Sequence, residues 1–328
     1  MSKFRNFNRV VYFTGICTLS SFAYSSFNSI RPLFSNRKES LKQLSTKYGT
    51  GYAIVTGPTS GIGLAFTNEL SRLGYNVCMI GRNKEKLEDL KKKIENDYST
   101  KPCFIVHDFE DINPQKLNSL KSSINKLDDI SIVINNVGAQ FEQSKKFESL
   151  TSLDLIKYVN INILSQLSIY NSILTKLRYQ KHKSLVVDVS SIVGDNDVMA
   201  GNIVYTATKG FNLRFSKLIK FQMETENITK NFKVYDTDVA VFKPGSVESN
   251  LGFKMNKRMH GTVSAEKAVT CCLYDIVNGK LETNGVTSHT FTNFILKIVP
   301  KEVINRVYTY KRYKHDITEH ENILDKDD

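Results

Sequence analysis

The chain has 328 residues, of which 41% are hydrophobic, and a formal net charge of +12. This length and composition are enough to fill one large α/β core. The charge does not indicate a nucleic-acid-binding protein, because the basic residues are not interleaved with aromatic ones on one face. The five cysteines lack metal-ligand spacing, so we predict no metal site, and reduced thiols in a cytosol-facing domain.

The N-terminal segment predicts membrane association. Residues 10–30 contain no charged side chain and reach the length of about 20 residues that spans a bilayer as a helix. Residues 1–50 carry eight basic side chains and one acidic one, a balance that suits anionic lipids. We favour a membrane anchor over residues 1–31, with a cleaved signal peptide and an amphipathic targeting segment as alternatives. Residues 32–50 are predicted to be a polar linker with a short helix.

A glycine-rich turn follows the first predicted strand, residues 52–55. This turn precedes a predicted helix at residues 64–73. It therefore places backbone N–H groups at the N-terminus of that helix, where a phosphate group can bind. Gly57 permits a tight turn, Gly61 lets the backbone approach a pyrophosphate, and Gly63 allows close contact between helix and strand. The predicted cofactor contacts in this turn are Gly57, Thr59, Ser60, Gly61, Ile62 and Gly63.

The second and third predicted strands indicate which dinucleotide binds. Strand two, residues 76–80, is followed by Arg82, at the position where an NAD-binding fold has a carboxylate for the ribose 2′-hydroxyl. A guanidinium pairs with a 2′-phosphate instead, so we predict NADP(H). In the alternative interpretation, Arg82 only begins the charged helix 84–96. Asp108, after strand three (residues 103–107), is positioned to contact adenine.

The remaining elements continue the alternation of strands and helices. Strands are predicted at residues 130–134, 185–189 and 238–242, and a helix at 153–177 carries Asn160 and Asn162. Alternation of this kind predicts an α/β fold: a doubly wound parallel sheet (Rossmann fold) in a single domain, residues 51–290, whose sites lie at the carboxyl ends of the strands. Residues 291–328 form a C-terminal apolar segment and charged tail.

Tyr205 and Lys209 are predicted to form the chemical centre. Residues four apart lie on one helical face, so the ammonium can sit beside the phenol. A nearby cation favours phenolate and lowers a phenol pKa from about 10 toward neutrality. Tyr205 is then a plausible proton donor to a carbonyl that accepts hydride. In the alternative interpretation the two residues are an ordinary surface pair.

The chain resembles the short-chain dehydrogenase/reductase family over residues 53–285. The resemblance rests on TGPTSGIG at residues 56–63, NNVG at 135–138, VSS at 189–191, YTATK at 205–209 and KPGSV at 243–247. It implies Tyr205 as acid/base, Lys209 on the nicotinamide ribose and Ser191 polarising the carbonyl. Asn162 would close a proton relay, with Asn160 as the alternative. The resemblance also implies that Asn136, Gly138, Pro244 and Val247 contact the cofactor, and that residues 249–261 form a substrate lid.

Within that family the chain looks like the membrane-bound 3-oxoacyl-CoA reductase and 17β-hydroxysteroid dehydrogenase branch, through its N-terminal apolar segment, NNVG and the NILS run at 162–165. This implies NADPH-dependent reduction of a lipid-like 3-oxoacyl-CoA at the endoplasmic reticulum membrane, with the catalytic domain facing the cytosol. The expected partners are a homodimer copy or a fatty-acid elongation complex. The alternatives are a steroid or retinoid dehydrogenase and a cofactor-binding scaffold with little turnover.

Overall fold

The structure, a computed structural model, describes residues 37–140, 147–196, 203–229, 237–248, 262–304 and 306. The chain divides into two units, residues 1–42 and 43–328. The described part of the first unit is helix α1 (Arg37–Leu41), and Glu39 pairs there with Lys42 at 3.0 Å. The predicted anchor (1–31) and lid (249–261) lie outside the described residues. Within the described part of the chain, no helix is long and apolar enough to cross a membrane.

A seven-stranded sheet forms the centre of the second unit. Its strands are β1 (Tyr52–Thr56), β2 (Asn76–Gly81), β3 (Cys103–Val106), β4 (Ile130–Asn135), β5 (Ser184–Val189), β6 (Thr237–Phe242) and β7 (Glu282–Thr283). Their order is β3-β2-β1-β4-β5-β6-β7, and all neighbouring strands are parallel. The winding reverses between β1 and β4, which opens a crevice at the carboxyl ends of these strands. The predicted doubly wound α/β fold is confirmed.

Helices cover both faces of the sheet. They are α2 (Gln43–Tyr48), α3 (Gly61–Arg72), α4 (Lys84–Asp97), α5 (Pro114–Asn125), α6 (Ser152–Val159), α7 (Ser165–Tyr179), α8 (Ile203–Thr229), α9 (Ala265–Val277) and α10 (Thr287–Ile298). Apolar side chains of α5, α7 and α8 form one buried cluster with the sheet. On α3, Phe66 packs edge-on against Phe242 of β6, with 6.3 Å between ring centres. Each fully buried side chain of this size contributes about 1.5–3 kcal/mol.

Three elements differ from the sequence-based expectation. The short strand β7 was not predicted, since two residues carry no periodic signal. Strand β3 ends at Val106, one residue before the predicted end at 107, and it is only partly buried, with Val106 50% exposed, because it lies at the edge of the sheet. The predicted helix 153–177 is interrupted by a π-helical turn, Asn160–Leu164, between α6 and α7. Turns of this type often mark functional sites in helices.

The segment before β1 is tied to the start of β6. Tyr48 is fully buried, and its hydroxyl donates a hydrogen bond of 2.7 Å to Asp238. The ammonium groups of Lys47 and Lys183 lie 3.2 and 2.8 Å from the same carboxylate. Burial alone raises the pKa of Asp238, but the bonds from Lys183 and Tyr48 outweigh it and hold that pKa below its usual value.

Candidate active site at the carboxyl ends of the strands

The glycine turn between β1 and α3 has a backbone that only glycine accommodates easily. Gly57 and Gly61 have positive φ angles of 64° and 53°. A Cβ on Gly63 would lie 2.0 Å from the carbonyl oxygen of Gly57, which leaves no room for a side chain. The turn therefore brings bare backbone to the N-terminus of α3, as the sequence predicted.

The same turn suits a pyrophosphate group. Ser60 precedes α3 without a side-chain capping bond, so its hydroxyl does not occupy the first N–H groups of the helix. The Asn136 side chain donates to the carbonyls of Thr56 at 2.9 Å and Gly57 at 3.2 Å. The hydroxyl of Thr56 in turn accepts bonds from the backbone of Asn136 and Val137 at 2.9 and 3.0 Å. These bonds fix the turn against the end of β4.

Arg82 follows β2 with its side chain 66% exposed and pairs with Glu110 at 3.0 Å. Lys157 lies 2.7 Å from the same carboxylate, and its hydrogen bond is the largest cause of the lowered Glu110 pKa. Asp108 accepts a hydrogen bond from the backbone of Glu110 at 2.9 Å. Asn160 donates to the Glu110 carbonyl at 2.9 Å. Asn160 therefore belongs to this cluster around Glu110.

Tyr205 and Lys209 lie one turn apart on α8, beside the end of β5. The ammonium of Lys209 is buried, donates to the Val189 carbonyl at 2.9 Å and lies 5.8 Å from the centre of the Tyr205 ring. The Ser191 side chain is hydrogen-bonded to Tyr205, and its hydroxyl also reaches the Pro244 carbonyl at 3.5 Å. Ser190 has a different partner, since its hydroxyl donates to the Lys209 carbonyl at 2.8 Å. Of the two serines, Ser191 is the one beside the phenol.

Asn162 joins this group from the π-helical turn. Its side chain accepts from the Ala139 N–H at 2.7 Å and donates to the Ala139 carbonyl and the Thr208 hydroxyl at 2.9 and 3.0 Å. A Cβ on Gly138 would lie 3.1 Å from the Lys209 ammonium and 3.5 Å from the Asn162 amide oxygen. Asn162 thus lies near Lys209, whereas Asn160 contacts Glu110.

Burial works against charge on both members of the tyrosine–lysine pair. Desolvation raises the pKa of Tyr205 to about 12, although its hydrogen bond with Ser191 acts in the opposite direction. Desolvation also lowers the pKa of Lys209 to about 8, against the attraction of Asp188. The expected lowering of the Tyr205 pKa by Lys209 is therefore wrong for this structure, because burial is the larger effect.

Residues 244–247 follow β6 and lie beside the Ser191 turn, because the Pro244 carbonyl accepts a hydrogen bond from the Ile192 N–H at 3.1 Å. A Cβ on Gly245 would lie 2.7 Å from the ring of His289, which is hydrogen-bonded through Nε2 to the Ser246 carbonyl at 3.1 Å. Val247 forms a bridge with Val263, two residues after the segment 249–261 that is predicted to be a lid. The segment that carries Pro244 and Val247 is thus bonded to His289 on one side and to Val263 on the other.

Asp188 is a residue of the site region that sequence reasoning missed. It is fully buried in β5 and accepts hydrogen bonds from Asn135, Tyr170 and Ser216 at 2.8, 2.7 and 2.6 Å. Burial raises its pKa despite these bonds. It borders a polar cavity of about 10 Å³ that Asn162 also lines. The available signal was one acidic residue inside the apolar strand LVVDV.

Comparisons with known proteins identify the family and similar folds. The family model described as short chain dehydrogenase matches residues 51–258. Very-long-chain 3-oxoacyl-CoA reductases of Anas platyrhynchos and Mus musculus are 27% and 28% identical over 258 and 254 residues, which cover 77% and 76% of this chain and equal shares of those proteins.

The similar solved structures are more distant in sequence. A short-chain dehydrogenase from Sphingobium yanoikuyae in complex with NADPH has a TM-score of 0.63 at 17% identity, covering 76% of this chain and 96% of that one. A 7beta-hydroxysteroid dehydrogenase has a TM-score of 0.67 at 20% identity, with coverages of 81% and 99%. A short chain dehydrogenase/reductase from Burkholderia phymatum in complex with NAD has a TM-score of 0.64 at 12% identity, with coverages of 76% and 93%. At these identities the likeness concerns the fold.

Proposed function

Because the chain belongs to the short-chain dehydrogenase family of nicotinamide-dependent oxidoreductases, we propose that it uses NADPH to reduce a carbonyl on a lipid-like substrate. Our specific proposal is reduction of a 3-oxoacyl-CoA to a 3-hydroxyacyl-CoA in fatty acid elongation. The observation that carries the reductase proposal is the grouping of Ser191, Tyr205, Lys209 and Asn162 at one end of the sheet. Residues 136–138 contact both this group and the glycine turn. The names of the reductase relatives support the substrate class.

Each residue of the group has a distinct proposed role. Tyr205, which keeps its proton at neutral pH because its pKa is about 12, donates that proton to the carbonyl oxygen of the substrate. Ser191 donates a hydrogen bond to the same oxygen as negative charge develops there. Lys209 binds the ribose next to the nicotinamide, and Asn162 orders the segment beside it. When bound, the reduced nicotinamide supplies the hydride for the carbonyl carbon.

Preference for NADPH over NADH is proposed from the end of β2. No acidic residue occupies residues 81–83, and Arg82 projects into solvent there with a side chain 66% exposed. A guanidinium binds a phosphate through two parallel hydrogen bonds, which a ribose hydroxyl cannot match. Glu110 is the competitor in this proposal, because it already pairs with Arg82.

We further propose that the enzyme works at the endoplasmic reticulum membrane, with its catalytic domain in the cytosol. Support comes from the uncharged residues 10–30, which are flanked by basic side chains. An anchored enzyme would meet lipid-like substrates where they are concentrated. A homodimer and an elongation complex remain the proposed assemblies.

The test is NADPH oxidation by membranes that carry the full-length protein, offered 3-oxoacyl-CoA, a ketosteroid and retinal in parallel. We expect fastest oxidation with 3-oxoacyl-CoA. Tyr205→Phe should bind NADPH as the wild type does but lose turnover, whereas Tyr179→Phe, which changes a 72% exposed surface phenol, should not. Preference for the steroid or the retinal would reject the acyl-CoA proposal. NADPH binding without oxidation of any substrate would instead indicate a scaffold.

A further inference from the structure

Helix α10 carries a polar stripe that faces the active-site loops. His289, Asn293 and Lys297 follow one another at intervals of four residues, so they lie on one side of the helix. His289 and Asn293 are 2% and 6% exposed. The opposite side of the helix exposes Phe291 and Phe294. The buried polar residues therefore belong to contacts with the rest of the domain.

The first contacts reach the loop that carries Ser191. Ser191 immediately precedes a 3₁₀ turn, Ile192–Asp195, and its hydroxyl accepts a hydrogen bond from the Val193 N–H. At the other end of the turn, Asp195 lies 2.8 Å from the Lys297 ammonium and accepts a longer bond of 3.4 Å from Asn293. Asn293 also accepts a hydrogen bond from Asn196 at 2.8 Å. Helix α10 thus contacts Asp195 and Asn196, which lie four and five residues after Ser191.

The second contacts reach residues 243–246, which follow β6. The buried ammonium of Lys243 lies 2.7 Å from Asp195 and also pairs with Glu282 of β7. The Ile192 N–H donates to the Pro244 carbonyl at 3.1 Å, and His289 bonds Ser246. Asp195 consequently lies between two lysines, Lys243 just after β6 and Lys297 on α10.

We propose that Asp195 is a positioning residue, which α10 holds through Lys297 and Asn293 so that the Ser191 turn keeps its place against Tyr205 and residues 244–247. The role given to Ser191 rests on the proposed function. Burial alone raises the pKa of Asp195, but hydrogen bonds and charge from Lys243 and Lys297 lower it to about 2. The carboxylate is therefore ionised throughout the neutral range and attracts both lysines.

The chain offers a closely matched control for Lys297. The side chains of Lys297 and Lys280 are 49% and 51% exposed, and each pairs with a carboxylate side chain that is 14% or 15% exposed. The partner of Lys280 is Asp275 of α9, at 3.1 Å. Lys297→Gln and Lys280→Gln therefore remove similar ion pairs, of which only the first touches the Ser191 turn. Lys297→Arg keeps the charge.

The experiment measures amide hydrogen exchange in peptides covering residues 190–196 and 243–247, together with kcat and KM, on full-length protein. For Lys297→Gln we expect exchange in these peptides to accelerate, and kcat to fall, about two- to fivefold, the range of an exposed ion pair. The KM for NADPH should not change. Asp195→Asn should have a larger effect, because Lys297 then loses its carboxylate partner and Lys243 keeps only Glu282. Lys280→Gln should match the wild type, and Lys297→Arg should restore it.

Unchanged exchange in Lys297→Gln and Asp195→Asn, or equal acceleration in Lys280→Gln, would overturn the proposal. Faster exchange with unchanged kcat in an active enzyme would also overturn it, because the turn would then not affect catalysis. If the wild type reduced no carbonyl substrate, the proposed function would fail. Hydrogen exchange would still show whether α10 holds the turn.

Discussion

The protonation states of Tyr205 and Lys209 suit the proposed reduction. At neutral pH the phenol, with a pKa of about 12, keeps its proton, and the ammonium, with a pKa of about 8, remains mostly charged. A protonated phenol is the form that donates to a carbonyl oxygen during reduction. The reverse oxidation needs a phenolate, which burial disfavours here. The protonated phenol of Tyr205 is therefore the form that the proposed reduction uses.

Lys209 should lower the stability of the protein in return for its function. Its pKa falls from 10.5 to about 8 on folding, so at pH 7 burial of the charge costs about 3 kcal/mol. We expect Lys209→Met to abolish turnover yet raise the free energy of unfolding at pH 7 by roughly 1–3 kcal/mol, since an apolar residue often replaces a buried charge favourably.

This gain should depend on pH. Between pH 8 and 10.5 the unfolded chain binds more protons at this lysine than the folded one, so wild-type stability rises with pH and the advantage of Lys209→Met shrinks. Urea unfolding of both proteins at pH 7 and near pH 10 measures the difference. An equal difference at both pH values would show that Lys209 is not a strained buried charge.

Substitutions of the two adjacent serines should have different effects, one on catalysis and the other on stability. Ser191→Ala removes the hydroxyl beside the phenol, and we expect kcat to fall about 10²–10³-fold, as for other single donors to a developing oxyanion. Ser190→Ala removes the bond to the Lys209 carbonyl, and we expect a loss of about 1 kcal/mol in stability with a small change in kcat. Steady-state kinetics and urea unfolding of both variants test this, and the opposite pattern would exchange the two roles.

At the scale of the element, the sequence predicted those strands and helices that have a local pattern of apolar residues. The apolar runs ending at Thr56, Asn135 and Val189 are strands, and the loops after them meet at one edge of the sheet. The pairing of Arg82 with Glu110 joins residues 28 apart, so no local pattern contains it. The choice between Asn160 and Asn162 likewise depends on how the π-helical turn rotates two nearby side chains.

The loop after β3 should limit cofactor affinity through Glu110. This carboxylate pairs with Arg82 at 3.0 Å, so a 2′-phosphate must compete with it for the guanidinium. We expect Glu110→Gln to tighten NADPH binding about two- to fivefold, within the range for exposed ion pairs, and to leave NADH binding unchanged. Glu88→Gln on α4, which removes an exposed pair with Lys84, is the control.

Fluorescence titration of NADPH and NADH on the three proteins measures the effect. Equal tightening of both cofactors would show that Glu110 acts on something other than the 2′-phosphate. Arg82→Asp should shift preference toward NADH, and an unchanged preference would remove Arg82 from the cofactor site.

At the scale of the whole molecule, the strand order brings the proposed cofactor-binding and catalytic residues together. The glycine turn follows β1, the predicted cofactor residues Asn136 and Gly138 follow β4, and Ser191 follows β5, beside Tyr205 and Lys209 of α8. The reversal between β1 and β4 makes these strands neighbours, although about 80 residues of chain separate them. All of these parts belong to the unit of residues 43–328. The proposed membrane anchor, residues 1–31, belongs to the other unit.

Deletion of residues 1–31 tests this separation. We expect the shortened protein to move from the membrane pellet to the supernatant, while its melting temperature and NADPH affinity stay those of the full chain, because the deleted residues belong to the other unit. Deletion of residues 307–328 is the control and should leave the protein in the pellet. If the protein without residues 1–31 still pelleted, the exposed side chains Phe291, Phe294 and Ile298 of α10 would be the next attachment to test. Triple replacement of these by serine should then release it.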